Sequence, residues 1–389
     1  MTERLYYQNA YATKFMGRVI FCKEANDGCF HIVLDKTLFY PEGGGQPGDN
    51  GVLGGVRILD TQEENGQIIH YGDKPLEVGI EVRGEVNWTW RFDLMQNHSG
   101  EHILSGIICN KYSCDNVGFH MGKDSVTIDF SVQIPSQDLL WLEEKANEAI
   151  WRNTPLSITY PSKNTLEQLE YRSKKELFGE VRIVQAGEYD CCACCGIHVR
   201  FAGEIGMIKM IGAQNYKGGT RIELLCGKRA LTYLQRVNQA ASEVGRKLSV
   251  PEDKIDEAVS KIQSERDMLI QEVKKWKWQS FLMKIEQLPE NAKDVLILAD
   301  ELSGKDMAKL ADLAAEKKNG RAMVLTPSQR GYAFVLVSRK KDAHVIETEL
   351  KKQFNCKGGG KEEAVQGIIE GDENILIQFF EEKGFIYAK

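Results

Sequence analysis

Asn97-His98-Ser99-Gly100-Glu101-His102-Ile103-Leu104 is answered much further along by Cys191-Cys192-Ala193-Cys194-Cys195-Gly196-Ile197-His198. His98 and His102 stand four positions apart, followed by the apolar residues Ile103, Leu104, Ile107 and Ile108. At helical pitch this spacing stacks two imidazoles on one face, roughly 6 Å apart along the axis. Cys194 and His198 repeat the spacing. Brought together by folding, the two pairs make a His/His/Cys/His set suited to tetrahedral zinc. A single histidine pair is ordinarily surface or satisfied core, and a cysteine is often an inert core residue. Two matched pairs, with four cysteines among positions 191–195, favour the metal. Cys194 is the preferred thiol because it mirrors the histidine spacing and Gly196 permits a tight turn.

A chain of 389 residues exceeds one hydrophobic core, so two to four domains are expected. The composition, 42% hydrophobic and 27% charged, is that of an ordinary globular protein. The opening Met-Thr-Glu-Arg-Leu-Tyr-Tyr has no apolar leader region, and no run approaches membrane-spanning length, so a cytoplasmic protein without membrane contact is expected. Ten cysteines in such a chain read as reduced thiols or metal ligands. A net charge of -6 argues against an indiscriminate nucleic-acid coat but leaves room for local basic tracks. Candidates are Arg172 with Lys174 and Lys175, then Lys274, Lys275 and Lys277, then Arg339 to Lys341, then Lys351, Lys352 and Lys357.

Around the decisive stretches the fold class reads as α+β and multidomain. Residues 1–88 show short alternating segments at Gly17–Phe21, Phe30–Leu34, Val52–Leu59, Ile68–Tyr71 and Val78–Val82, a spacing that predicts a small β-barrel. Inside it lies Phe39-Tyr40-Pro41-Glu42-Gly43-Gly44-Gly45-Gln46-Pro47-Gly48-Asp49. Its successive glycines allow positive φ and a close approach to the backbone. Residues 89–227 read as an α+β domain: the histidine helix, a strand at 125–131, a helix over 137–153, a strand at 156–160, a helix over 165–177, and strands near 181–184, 205–211 and 220–225. Residues 228–288 carry two heptad-like arms around Ser249-Val250-Pro251, expected to form a helical hairpin that acts as spacer or homodimer contact, the C-terminal domain being the other place for such a contact. Residues 289–389 alternate strands and helices as an α/β domain, with a strand expected at Asn374–Gln378. There Lys357-Gly358-Gly359-Gly360-Lys361 reads as a flexible basic turn suited to a phosphate backbone.

Taken in order, these motifs resemble the alanyl-tRNA editing proteins of the AlaX family in its long form. His98-Ser-Gly-Glu-His102 resembles the HxxxH element of alanyl- and threonyl-tRNA synthetase editing domains, and Cys194 to His198 their CxxxH element. Phe39 to Asp49 resembles the barrel signature, and Gly118–Gly122 with Thr127–Phe130 the strand pair beside the site. Lys357–Lys361 with Gln366 resembles the glycine-rich stretch of the DHH-associated domain. The resemblance implies a barrel, a zinc-containing editing domain, a helical linker and a DHH-associated domain, standing free of an aminoacylation module. It further implies hydrolysis of a wrong amino acid, serine and also glycine, from tRNA(Ala). His98, His102, Cys194 and His198 would hold zinc. Thr127, Glu101 and His120 are the expected catalytic and substrate-contacting residues. Gly43, Gly44, Gly45 and Gln46, with Lys357, Gly358, Gly359, Gly360 and Lys361, are the expected tRNA contacts.

Two other classes fit parts of the sequence. His98-Ser-Gly-Glu101-His102 is also H-x-x-E-H, an inverted zinc-peptidase pattern with Glu101 as base and a distant Glu as third ligand. An RNA-binding protein with structural zinc and no catalysis is the other.

Overall fold

The computed structural model describes residues 2–25, 28–173 and 179–388. Lys174 and Lys175 of the first basic cluster, and the last residues of the helix expected over 165–177, lie outside them. The chain divides into two compact units, Met1–Glu252 and Asp253–Lys389.

In the first unit six described strands close on themselves in the order Lys14–Glu24, Phe30–Leu34, Gln67–Gly72, Val56–Glu64, Gly51–Leu53 and Glu81–Val86. Alternation puts Phe15, Val19, Ile32, Leu34, Ile58 and Val82 inside, as the two-residue period of a strand requires. The single strand expected at Val52–Leu59 is instead a hairpin, because Gly54 and Gly55 take φ of +56° and +83° and turn the chain.

Asn87 caps the next element, its side chain accepting from the Trp90 amide, and the helix runs from Trp88 to Tyr112 before Ser113 closes it in a left-handed conformation. This is the histidine helix, and it is buried on more than one side. Leu94, Met95, Ile103, Leu104 and Ile108 join Val126, Ile128, Phe130 and Leu224 of a four-stranded antiparallel sheet in one core. Two of its glycines make that possible. A Cβ on Gly100 would lie 2.3 Å from Cys226 Sγ, and one on Gly106 would lie 2.1 Å from the Tyr189 carbonyl oxygen. The helix Leu139–Trp151 covers the same core through Leu142, Ala146 and Ile150. A three-stranded sheet, Leu156–Thr159, Ile183–Ala186 and Asp190–Ala193, presents the cysteine segment. The helix expected over 165–177 is corrected to one capped turn, Lys163–Leu166, after which Arg172 bridges to Cys192. The unit ends with the helix Gly227–Leu248.

The second unit opens with the helix Ile255–Gln287, so the division of the chain falls between the two heptad-bearing arms. Its mixed sheet runs Asn355–Lys361, Ala364–Glu370, Gly331–Ser338, Arg321–Ser328, Asp294–Leu298, Ile386–Tyr387. Successive residues feed opposite faces. Val295 and Ile297 pack with Leu310 and Ala314 of the helix Gly304–Lys318. Leu296 packs with Ile346 and Leu350 of the helix Ala343–Gln353 and with Leu376 and Phe379. Two expectations are corrected here. Asn374–Gln378 belongs to a helix, Glu373–Glu382, started by the Asp372 side chain and burying Leu376, Phe379 and Phe380 at helical spacing. Lys357–Lys361 is a strand paired antiparallel to Ala364–Glu370, not a turn. Among the described residues no helix is long and apolar enough to cross a membrane.

Candidate metal centre

Folding brings the two spaced pairs to one place. One donor atom from each of His98, His102, Cys194 and His198 lies within 4.8 Å of the others. The imidazole centroids are 5.3 Å apart for His98–His102, 4.6 Å for His98–His198 and 4.7 Å for His102–His198. Cys194 Sγ is 3.5 Å from His98 Nε2 and accepts the Gly196 amide at 3.3 Å. The three histidines are buried.

Each imidazole is held through Nδ1. His98 Nδ1 meets Gln46 Oε1 at 2.7 Å, His102 Nδ1 meets Asp190 Oδ2 at 2.8 Å, and His198 Nδ1 meets Ser99 Oγ at 3.2 Å. Carbonyl and carboxylate oxygens only accept, so His98 and His102 donate from Nδ1 and turn Nε2 toward the cluster. Among the described residues His198 Nε2 is buried without a hydrogen-bond partner, although such atoms are almost always satisfied. Outer partners that fix the tautomer are the usual support of metal-ligating histidines.

The electrostatics agree. Burial pushes the Cys194 thiol up, but the adjacent charges of His98 and His102 outweigh it and hold the thiol well below its ordinary value. Burial opposes the charged form of His102, yet the Cys194 thiolate and the Asp190 hydrogen bond raise it to about 10. His198 is pushed down to about 3 by burial and by the charge of His98. The pocket therefore favours a thiolate, holds positive charge beside it and keeps one imidazole neutral. Three nitrogens, one thiolate and an orphaned lone pair fit zinc.

Glu101 lies beside this set. It is fully buried, accepts from the Ser105 hydroxyl at 2.8 Å and the Asn116 amide at 2.6 Å, and its other oxygen is 3.9 Å from His102 Nε2. Phe119 stacks on His98 at 5.0 Å. Thr127 and His120 are not brought to the cluster. They are register partners, and strand alternation sends Val126, Ile128 and Met121 into the core under the histidine helix, leaving Thr127 and His120 on the opposite sheet face. Gln46 is corrected from a nucleic-acid contact to a fully buried neighbour of His98. Gly43 and Gly44 stay partly or wholly exposed. Lys357, Gly358, Gly359, Gly360 and Lys361 lie in the second unit, all exposed. The distant Glu that an inverted zinc-peptidase pattern needs is replaced here by Cys194 and His198.

Sequence reading missed Asp190, Ser99 and Gln46 as partners of the ring nitrogens, and Arg172, whose Nε donates to Asp190 at 2.7 Å. An acid directly before the cysteine cluster was the available signal for Asp190. Nothing local marks the others.

Residues 2–90 match a family model described as class II (A) tRNA synthetases. Residues 181–223 match that of the threonyl and alanyl tRNA synthetase second additional domain. The chain is 28% identical to alanyl-tRNA editing protein AlaX-L of Pyrococcus horikoshii, over 98% of each chain. It is 30% identical to alanyl-tRNA editing protein Aarsd1-A of Xenopus laevis over 66% of each. It is also 30% identical to alanine--tRNA ligase of Pyrobaculum neutrophilum, across 96% of this chain but 43% of the ligase. Similarity to AlaX-L along 98% of each chain and to Aarsd1-A along 66% of each, with the motifs gathered as they are, leads to one conclusion: the chain belongs to the alanyl-tRNA editing protein family.

Proposed function

We propose that this protein is an aminoacyl-tRNA deacylase that hydrolyses the ester joining a wrong amino acid, chiefly serine and secondarily glycine, to tRNA(Ala). The names of its relatives support the tRNA. The observation that carries the chemistry is the convergence of His98, His102, Cys194 and His198, with each imidazole held through Nδ1. These four would hold zinc. When bound, zinc supplies a fixed positive charge that orients the aminoacyl end.

The chain's own residues do the rest. Gln46, Asp190 and Ser99 fix the three rings. Glu101, anchored by Ser105 and Asn116, serves as the base that orients the attacking water. An activated ester needs little beyond water held in line with its carbonyl. Specificity asks more of the site, because serine differs from alanine by one hydroxyl. A pocket that hydrogen-bonds this hydroxyl favours serine over alanine by up to roughly 10⁴-fold, since its own polar group would otherwise stay unpaired; glycine also lacks the hydroxyl and would be the poorer of the two wrong substrates.

The four-part division into barrel, editing domain, helical arms and DHH-associated domain belongs to this reading. So do phosphate contact by Lys357 and Lys361, and pairing of two copies through the apolar residues Ile262, Leu269 and Val273, exposed on Ile255–Gln287. The test is incubation of the metal-loaded and chelator-stripped protein with Ser-, Gly- and Ala-tRNA(Ala), following loss of the ester. Faster loss from the mischarged species, abolished by stripping and restored by zinc, is expected. Equal rates on all three would defeat the assignment.

A further inference from the structure

Among the described residues, Gln46 is the one contact to a ring nitrogen of the cluster that comes from the barrel. Its loop is rigid. Gly43 and Gln46 exchange backbone hydrogen bonds at 3.0 Å each, across Gly44 and Gly45 with φ of +59° and +82°. Tyr40 adds a hydroxyl bond to the Gly43 carbonyl at 3.1 Å. At the end of this loop the Gln46 side chain is fully buried. Its Oε1 lies 2.7 Å from His98 Nδ1 and accepts the Ile197 amide at 3.3 Å.

The orientation of this amide follows from chemistry. The Ile197 backbone N–H can only donate, so the atom facing it is oxygen. The same oxygen then compels His98 to carry its proton on Nδ1. One carbonyl thus touches the ring of a residue on the histidine helix and the loop between Cys194 and His198. The cost is visible, because Gln46 Nε2 is buried with no partner among the described residues, and an unmade buried amide bond costs about 1–3 kcal/mol. The surrounding residues also leave no slack. A Cβ on Gly196 would lie 2.4 Å from His98 Nδ1 and 3.1 Å from Gln46 Oε1.

We propose that Gln46 is a positioning residue of the metal centre. Its carbonyl sets the tautomer and ring plane of His98, so the barrel supplies part of the support for a metal bound by the neighbouring domain. The inference rests on the reading of the four-residue cluster as a zinc site, not on the identity of the tRNA substrate.

The test is zinc affinity of the full chain, measured by competition with a chromophoric chelator, with no tRNA present. Gln46→Met keeps the length and removes the acceptor, and about 10–100-fold weaker zinc binding is expected. Gln46→Glu restores an acceptor and is expected to bind close to wild type. The melting temperature of the metal-free proteins reports any merely structural loss, which would leave zinc affinity unmoved. Wild-type zinc affinity in Gln46→Met overturns the proposal. Should Gln46→Met not fold, the ¹⁵N resonances of His98 in the wild-type chain decide: a proton on Nδ1 supports it, and an unprotonated Nδ1 overturns it. Failure of deacylation with zinc binding intact would sink the substrate assignment while leaving this inference standing.

Discussion

His70 shows what a single buried titratable residue does to this fold. It is fully buried in the first unit. Its Nδ1–H donates to the Ile32 carbonyl at 3.0 Å, and its Nε2 accepts from the Thr37 hydroxyl at 2.8 Å. Both ring positions are therefore satisfied in the neutral form. Burial lowers its pKa from 6.5 to about 4. A folded-state value below the unfolded one means that stability is fully present above pH 6.5 and is lost as pH falls toward 4. The loss reaches up to about 3 kcal/mol. Urea titrations between pH 7 and pH 4 should show a decline, and His70→Gln should make it smaller by up to about 3 kcal/mol. An equal decline in both proteins would contradict the assignment. At this scale the sequence revealed the residues that carry chemistry by spacing, as with His98, His102, Cys194 and His198. It did not reveal their supports. Asp190, Ser99 and Gln46 reach the rings only through tertiary folding, across as many as 99 positions for Ser99 and His198, and no local period encodes that.

Among elements, the glycine loop before Gln46 makes the sharpest claim. A Cβ on Gly45 would lie 2.5 Å from Phe119 Cδ1 and 2.9 Å from the Phe119 carbonyl oxygen, whereas one on Gly44 meets nothing within 4 Å. Both residues have positive φ, so alanine at either pays about 1–2 kcal/mol of backbone strain. Only at Gly45 must Phe119 shift, and Phe119 stacks on His98. Gly45→Ala should thus lower the denaturation midpoint clearly more than Gly44→Ala and weaken zinc binding. Equal effects of the two would show that the close approach is unimportant. Long periodic elements were legible: the histidine helix, the barrel strands and both arms. Short apolar runs were not. Asn374–Gln378 reads as a strand by its branched residues, yet the cap at Asp372 and the spacing of Leu376, Phe379 and Phe380 make it helical. Gly358–Gly360 reads as a turn, yet cross-strand pairing with Val365, Gln366 and Gly367 holds it extended. In both cases tertiary packing decides what a five-residue window leaves ambiguous.

For the whole molecule, a net charge of -6 requires that contact with an RNA backbone be local. Lys357 and Lys361 are exposed on one strand of the second unit. If both meet phosphate, the double substitution to Gln in the full chain should reduce the slope of log affinity for tRNA against log salt by roughly two, because each lost contact releases fewer counterions. An unchanged slope would make these lysines merely solvated. The α+β class was legible from pattern; the division between the two arms was not, since both carry the same heptad-like period. The most direct test of the central claim is metal analysis of the purified full chain combined with zinc-edge X-ray absorption. One zinc per chain, bound by three nitrogens and one sulfur, is the predicted result. Absence of stoichiometric zinc, or a sulfur-dominated shell drawn from Cys191, Cys192, Cys194 and Cys195, would contradict it.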